Sequence, residues 1–355
     1  MIESASFVAA AMSLASRQLG HIEQRQNSVT LELYQYTIRL LISQDPNKAD
    51  ATVLATCALL CVYEMMASGV SEWRRHLKGC AGLFRVNGWN GSSRGIVKWC
   101  FWAFARIGKL PLLVIYIFGQ LPAGKTTLVP TDFWMDDMSI VSAAADGDTE
   151  NYCNLAILVF AKIVNLLATF SLSNRMSESE PRASMTVLWN EFQEWYQLRP
   201  KQVYPLLRSD YTPSNTLPNV AFTQSSPVCG NTFYHAGCIL LLQAGLLTVQ
   251  ARSSQVVSRP RLARSRIDGN IHFKCITVSY GPSTSANWVN QLQPLYIAGT
   301  VLAGSRICYT QYACSVEEFA AEKILLLKHL ALIGRETGWK TSDRAADLRD
   351  HGLRI

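Results

Sequence analysis

Charge is scarce in this chain. Only 17% of its 355 residues are Asp, Glu, Lys or Arg, and six are histidine. A segment that stays unfolded through self-repulsion and lack of apolar side chains is therefore not expected; with 49% hydrophobic residues there is enough apolar surface for a large core. Paired cysteines are missing too. The ten cysteines (57, 61, 80, 100, 153, 229, 238, 275, 308 and 314) never fall at C-x-x-C spacing, and no H-E-x-x-H occurs, so neither a zinc ribbon nor a metalloprotease centre is encoded. Scattered through apolar surroundings, these cysteines read as buried, reduced thiols and not as a disulfide framework. The longest unbroken apolar run, Leu110 to Phe118, is less than half of the roughly 20 residues a membrane span needs, and no membrane partner is expected. No basic residue precedes the apolar run Ala5 to Ala15, so that run reads as a first helix and not as the core of a signal peptide.

What is present has helical period almost throughout. Trp73, Leu77, Cys80, Ala81 and Phe84 fall at i, i+4, i+7, i+8 and i+11, one apolar stripe, with Arg74, Arg75, Lys78 and Arg85 gathered on the other side. Val29 to Ser43 predicts a helix with Leu31, Tyr34, Ile38 and Leu41 inward, and Asn154 to Phe170, apolar nearly all round, predicts a central one. Met185 to Leu198, Thr232 to Arg252 and Leu295 to Tyr309 give further helices. The last long helix has an N-terminal capping box, Ser315-x-x-Glu318, and Gly338 where a left-handed C-cap belongs. Gly-, Asn- and Ser-rich Asn87 to Ser93, polar Ser171 to Pro181, and Tyr211 to Pro227 with its three prolines read as loops. The fold class is all-α: roughly a dozen packed helices over residues 1–350 in a single large irregular domain, with little or no sheet and a candidate sub-boundary in loop 211–227.

Several motifs imitate catalytic sites. Gly119-Gln120-Leu121-Pro122-Ala123-Gly124-Lys125-Thr126 matches the phosphate-binding P-loop letter for letter. That loop must open a helix whose N-terminus faces the phosphates, and here Pro130 arrives five residues after Lys125, so no helix longer than about one turn can follow. Gly91-Ser92-Ser93-Arg94-Gly95 has the letters of a nucleophile elbow but follows a turn sequence where that motif needs a buried strand, and reads as a flexible loop. His76 reads as a structural histidine bonded to a neighbouring helix. Cys57 and Cys61, one helical turn apart, read as small core residues, and Trp99, Phe101, Trp102 and Phe104 as core aromatics. No catalytic residue, cofactor site or metal site is assigned.

One resemblance covers most of the chain, roughly residues 5 to 350. The apolar run Ala51 onward ending in Tyr63-Glu64, followed by a helix with Trp73, His76, Leu77, Gly79 and Cys80, resembles the helical regulatory domain of fungal binuclear-zinc-cluster (Zn2Cys6) transcription factors. Gln293-Pro294-Leu295-Tyr296-Ile297-Ala298-Gly299 and Arg335-Glu336-Thr337-Gly338-Trp339 resemble the same family's late signatures, in the family's order, and Pro130-Thr131-Asp132-Phe133-Trp134 its Pro-Thr-x-Phe-Trp segment. The residues that carry the likeness are Tyr63, Glu64, Trp73, His76, Leu77, Gly79, Pro294, Leu295, Ala298, Gly299, Glu336, Gly338 and Trp339. Leu110 to Leu128 and His272 to Tyr280 depart from the pattern, and Arg106-Ile107-Gly108-Lys109 lacks the acid the family usually carries there. The six-cysteine DNA reader of the family is not encoded, so the expectation is a chain that begins inside the regulatory domain and needs zinc only in a longer form.

The resemblance implies a nuclear or shuttling transcription regulator of metabolic or secondary-metabolite genes. It would meet protein partners of the transcription machinery, with a homodimer and a small-molecule effector among the candidates, and DNA only indirectly. The net charge of +7 is spread out except at Arg259, Arg261, Arg264 and Arg266, a candidate nuclear-import or nucleic-acid contact in the polar segment Ser253 to Asn270. Two other readings stay open: a helical accessory protein or recruited enzyme of a fungal biosynthetic pathway, and a P-loop NTPase.

Overall fold

A computed structural model of the chain describes residues 4–25, 27–44, 50–67, 70–107, 127–170, 179–208, 220–244, 279–280, 285–302, 320–350 and 353, with the backbone alone at 70–75, 170, 179–181, 279–280, 285–286 and 301. The described residues form twelve α-helices and three two-residue strands, so the chain is mostly all-α. They cluster in two compact units. The first lies within Met1–Pro111, Thr127–Asp136 and Gly334–Lys340; the second takes Asp137–Ile333 and Thr341–Ile355. Both flanks of loop 211–227 belong to the second unit, so that loop does not separate the two.

In the first unit, helices α1 (Ala5–Ile22), α2 (Ser28–Ile42), α3 (Ala51–Ala67), α4 (Val70–Asn87) and α5 (Ile96–Ile107) follow one another through short connections. Their starts are set by side-chain caps: Ser4 Oγ accepts from the Phe7 N–H, Asn27 Oδ1 from Val29, and Asp50 Oδ1 from both Thr52 and Val53. α3 lies against α1, α4 and α5, which is why a helix with almost no polar face is stable there. The inner line of α2 differs from the expected one. Thr30 and Thr37 are its buried residues, while Leu31 is 54% exposed. Thr30 is held inside by a 2.6 Å hydrogen bond with Ser16 of α1, and Thr37 returns its hydroxyl to the Leu33 carbonyl, so two threonines take the core positions that hydropathy alone gives to leucine.

The second unit is built on α7 (Thr149–Phe170), in which every residue from Tyr152 to Ala161 is buried. This helix is long and apolar enough to cross a membrane, but most of it is enclosed by protein, as in the core helix of a globular unit. α6 (Ile140–Asp146) leads into it through Gly147, whose φ of +77° ends one helix in the left-handed region that glycine tolerates, and Asp148 then caps the next. α8 (Ser179–Gln197) and α9 (Ser225–Gln243) pack on α7. α9 is buried without a break from Pro227 to Leu241. It starts seven residues before the expected Thr232, because Pro227, read as a loop residue, sits in the first turn, where its missing N–H has no intrahelical partner to lose. α10 (Ser285–Leu302) likewise begins ten residues ahead of the expected Leu295 and runs through Pro294. α11 (Ala320–Thr337) and α12 (Ser342–Asp350) complete the helices, and strands Leu207–Arg208, Val220–Ala221 and Ser279–Tyr280 pair in that order, antiparallel and then parallel.

A half-buried histidine couples this packing to pH. Half-buried His329 of α11 sits 3.2 Å from Gln291 Oε1 of α10, and burial holds its imidazole below the ordinary value, favouring the neutral ring. Below about pH 6.5 the unfolded chain takes up a proton that the folded chain resists, so stability is present above that value and is lost as pH falls through it. Urea midpoints measured near pH 7.5 and near pH 5.5 should show a smaller acid-induced drop for His329→Gln than for the wild type. An equal drop in both would show that this histidine contributes nothing to the acid sensitivity.

Candidate functional site

The Tyr63-Glu64 pair closes the apolar run of α3, and the structure makes it the hub of the first unit. Glu64 is buried, with Oε1 accepting the Tyr34 hydroxyl of α2 and lying 3.0 Å from Nε2 of His76 on α4. Tyr63 stacks on Tyr34 at 4.6 Å between ring centres, and Arg17 of α1 lies 5.5 Å from the Tyr63 ring while its guanidinium donates to the Met66 carbonyl at 3.3 Å. The last turn of α3 thus receives a cation at its negative end, and three other helices are tied to two consecutive residues. A buried carboxylate holding a phenol and an imidazole sets helix register and can pass a proton between its partners. Among the described residues no group of three or more His, Cys, Asp or Glu is arranged to hold a metal ion.

Around the hub lie four thiols that the spacing of the sequence does not connect. Cys57 and Cys61 are on α3, Cys80 on α4 and Cys100 on α5; Cys61, Cys80 and Cys100 are buried and Cys57 is partly exposed. Burial is the main reason that Cys61 is pushed up to about 12 and Cys100 to about 11. Cys57 moves the other way, because the Cys80 thiol donates a hydrogen bond to its sulfur and the charge of His76 adds to the effect, outweighing its own burial.

The remaining signature residues divide between the units. Leu77 is 2% exposed, with Cys80, Ala81 and Phe84 buried behind it, so the apolar stripe of α4 does face the core; Trp73 lies in the stretch described by backbone alone. Gly79 is exposed and a Cβ there would meet nothing within 4 Å, so nothing in the structure explains the glycine. Glu336, Gly338 and Trp339 belong to the first unit and approach the hub. Gly338, at φ +73°, stands where a Cβ would lie 2.8 Å from the Met66 methyl and 3.0 Å from the His21 ring, while His21 Nε2 bonds the Arg335 carbonyl at 2.7 Å. Glu336 is exposed, pairs with Arg335 at 2.6 Å, and offers its carbonyl to Gln18; Trp339 is half-buried with its N–H on Thr337. Pro294, Leu295, Ala298 and Gly299 lie in the second unit on α10. Leu295 and Ala298 are fully buried, and Gly299 admits Leu348 of α12 so closely that a Cβ would stand 2.7 Å from it. Beside it the Tyr296 hydroxyl donates to Asp347 at 2.5 Å.

The imitated catalytic motifs fare differently. The loop at Gly91 is packed, not flexible. Its N–H donates to the Trp134 carbonyl at 2.8 Å, its carbonyl accepts Trp102 Nε1 at 3.1 Å, and a Cβ would stand 2.6 Å from the Trp102 ring. Phe101, Trp102 and Phe104 are core with Trp134, whereas Trp99 is 56% exposed on the far side of α5. Gly119 to Thr126 lie outside the described residues, and Thr127 to Pro130, which follow, form no helix. Arg259, Arg261, Arg264, Arg266 and the Ser315-x-x-Glu318 box also lie outside the described residues.

Comparison with known proteins agrees with these elements. The chain is similar to the transcription activator AMTR1 of Alternaria alternata, 24% identical over 367 residues that cover 86% of this chain and 45% of that protein, so it spans about half the length of the curated relative it matches. No solved structure matches it. The fungal specific transcription factor domain matches residues 1–305, from α1 through the end of α10, and the chain belongs to that family.

Proposed function

We propose that this chain is the regulatory portion of a zinc-cluster-type transcription factor that controls a metabolic or secondary-metabolite gene cluster in the nucleus. The observation that carries the reading is the family match over residues 1–305, supported by a relative that is itself a transcription activator. The geometry fits a part that works by contact and not by turnover. Glu64, a buried acid, has its carboxylate on a tyrosine and a histidine of two other helices, which fixes a shape. On this reading sequence-specific DNA contact comes from an attached reader, zinc enters only with that reader, and the chain itself meets proteins of the transcription machinery, a second copy of itself, or a small-molecule effector. The arginines at 259, 261, 264 and 266 are then the import or nucleic-acid segment.

The test is a fusion of residues 1–355 to an unrelated DNA-binding domain in a fungal host carrying the matching reporter. Reporter output above that of the DNA-binding domain alone is expected, and it should fall when Glu64→Ala removes the hub. A nuclear, full-length fusion with no effect on the reporter in any growth condition would overturn the assignment.

A further inference from the structure

α1 and α2 form an antiparallel hairpin, fixed by a 2.6 Å hydrogen bond between Ser16 and Thr30 and a 3.4 Å bond from Gln44 to Ser6. Its buried residues are small or carry a hydroxyl, Ser6, Ala9, Ala10 and Ser13 on α1 and Thr30 and Thr37 on α2, while Met12, Leu19, Ile22, Val29 and Tyr36 are each 45% exposed or more. The exposed apolar residues are ordered. On α1, Val8, Met12, Ala15, Leu19 and Ile22 recur at alternating steps of four and three, and none is buried; Val29, Leu33, Tyr36 and Leu40 recur in the same way on α2. Alternating steps of three and four make the seam that one helix presents to another. On both helices the seam lies on the far side of the Ser16–Thr30 contact from the residues that meet α3, Arg17 on α1 and Tyr34 on α2, so the two seams share one surface. We propose that this surface docks on its own counterpart in a second copy of the chain, making a two-fold four-helix bundle.

The charges beside the seam select a second copy and fix its direction. In a two-fold contact every pair occurs twice, once from each side. With the axis midway between Leu33 and Tyr36, α2 runs antiparallel to its counterpart, Leu33 lies against the partner's Tyr36 and Val29 against the partner's Leu40. Glu32 and Arg39 are exposed, two turns apart, and both flank the seam on its edge away from α1. In that register Glu32 faces the partner's Arg39 and Arg39 faces the partner's Glu32, so the surface is complementary to itself. The seam of α1 accepts the same axis. Its midpoint, between Met12 and Ala15, sets Met12 against the partner's Ala15 and Val8 against the partner's Leu19. The midpoints of α1 and α2 stand beside each other, because the Ser16–Thr30 and Gln44–Ser6 bonds bracket both. Such a dimer deepens the regulatory reading, in which a second copy is one of the partners, and rests on it for its purpose.

The experiment measures the mass of the full chain by sedimentation velocity at concentrations up to roughly a hundred micromolar. A dimer is expected for the wild type and for Val187→Glu, which changes an exposed apolar residue of α8 instead, and a monomer for Leu19→Glu. Glu32→Arg and Arg39→Glu should each weaken the dimer by about tenfold or more, since each sets two pairs of like charges face to face. An equimolar mixture of those two variants should regain it, because opposite charges then face each other across the mixed dimer. Should Leu19→Glu fail to fold, the two charge variants and their mixture decide. A monomeric wild type, a dimer indifferent to Leu19→Glu, or a mixture that associates no better than its parts overturns the proposal. Reporter output from the fusion is a separate readout: a monomer that still drives the reporter sinks this surface alone, whereas a dimer whose fusion is silent sinks the regulatory reading and leaves the surface standing.

Discussion

Trp195→Ala should lower stability by about 3–5 kcal/mol, read as a shift in urea midpoint at unchanged slope. Trp195 of α8 is fully buried and lies between Tyr152 of α7 and Tyr234 of α9, its ring stacked 5.4 Å from one and 5.6 Å from the other. Its indole N–H donates to the Tyr152 carbonyl at 2.9 Å, and the Tyr152 hydroxyl donates back to the Trp195 carbonyl at 2.5 Å. Truncation therefore removes a large apolar surface, opens a cavity between three helices and deletes the indole's hydrogen bond to a buried helix carbonyl, each of which costs free energy separately. Burial pushes the Tyr152 phenol far above its usual range, so its hydroxyl stays protonated and able to donate in the variant as in the wild type. Trp195→Phe should recover part of the loss by restoring the stack without the N–H. A cost below about 1 kcal/mol for Trp195→Ala would mean that the three helices close the gap by moving together.

The second large effect belongs to the first unit. Leu77→Ala should cost on the order of 2–5 kcal/mol, whereas Lys78→Ala, one residue on and exposed, should change stability by no more than about 0.5 kcal/mol. The neighbours of Leu77 on the stripe, Cys80 and Phe84, are themselves buried, and Phe84 makes edge-to-face contacts at 5.1 Å with Phe101 and Phe104 of α5, rings poorly placed to collapse into a void. Equal costs for the two variants would mean that α4 presents a different face to its core.

That Leu77 and Lys78 separate so cleanly shows which part of the fold was legible in the sequence. An amphipathic helix writes its orientation into a 3.6-residue period, and α4 followed its own, while α7, apolar nearly all round, is enclosed as such a helix must be. Where the period failed, a specific interaction had taken over. Thr30 and Thr37 occupy inner positions of α2 because hydroxyls can be satisfied there, Pro227 read as a loop residue although it needs no donor in a first turn, and the helix expected from Leu295 begins at Ser285 and carries Pro294 inside it. The candidate site was half visible. Tyr63, Glu64 and His76 stood out through resemblance, but their mutual bonds, and the role of Tyr34, depend on how helices face one another. The Tyr152–Trp195 clasp left no mark at all, since spacing along a chain reports neighbours on one helix and says nothing of partners on another.

His21 and Gln18, near the start of the chain, bond to carbonyls at Arg335 and Glu336, more than three hundred residues later. During synthesis, then, α1 to α5 leave the ribosome long before the segment that finishes their unit exists, and they must wait with those donors and the Met66 edge uncovered until Lys340 has emerged. A fragment cut at residue 305, the end of the family match, would never receive that segment. Expression designed on the matched region alone therefore produces an open first unit, and the boundary that serves for recognition is the wrong one for folding.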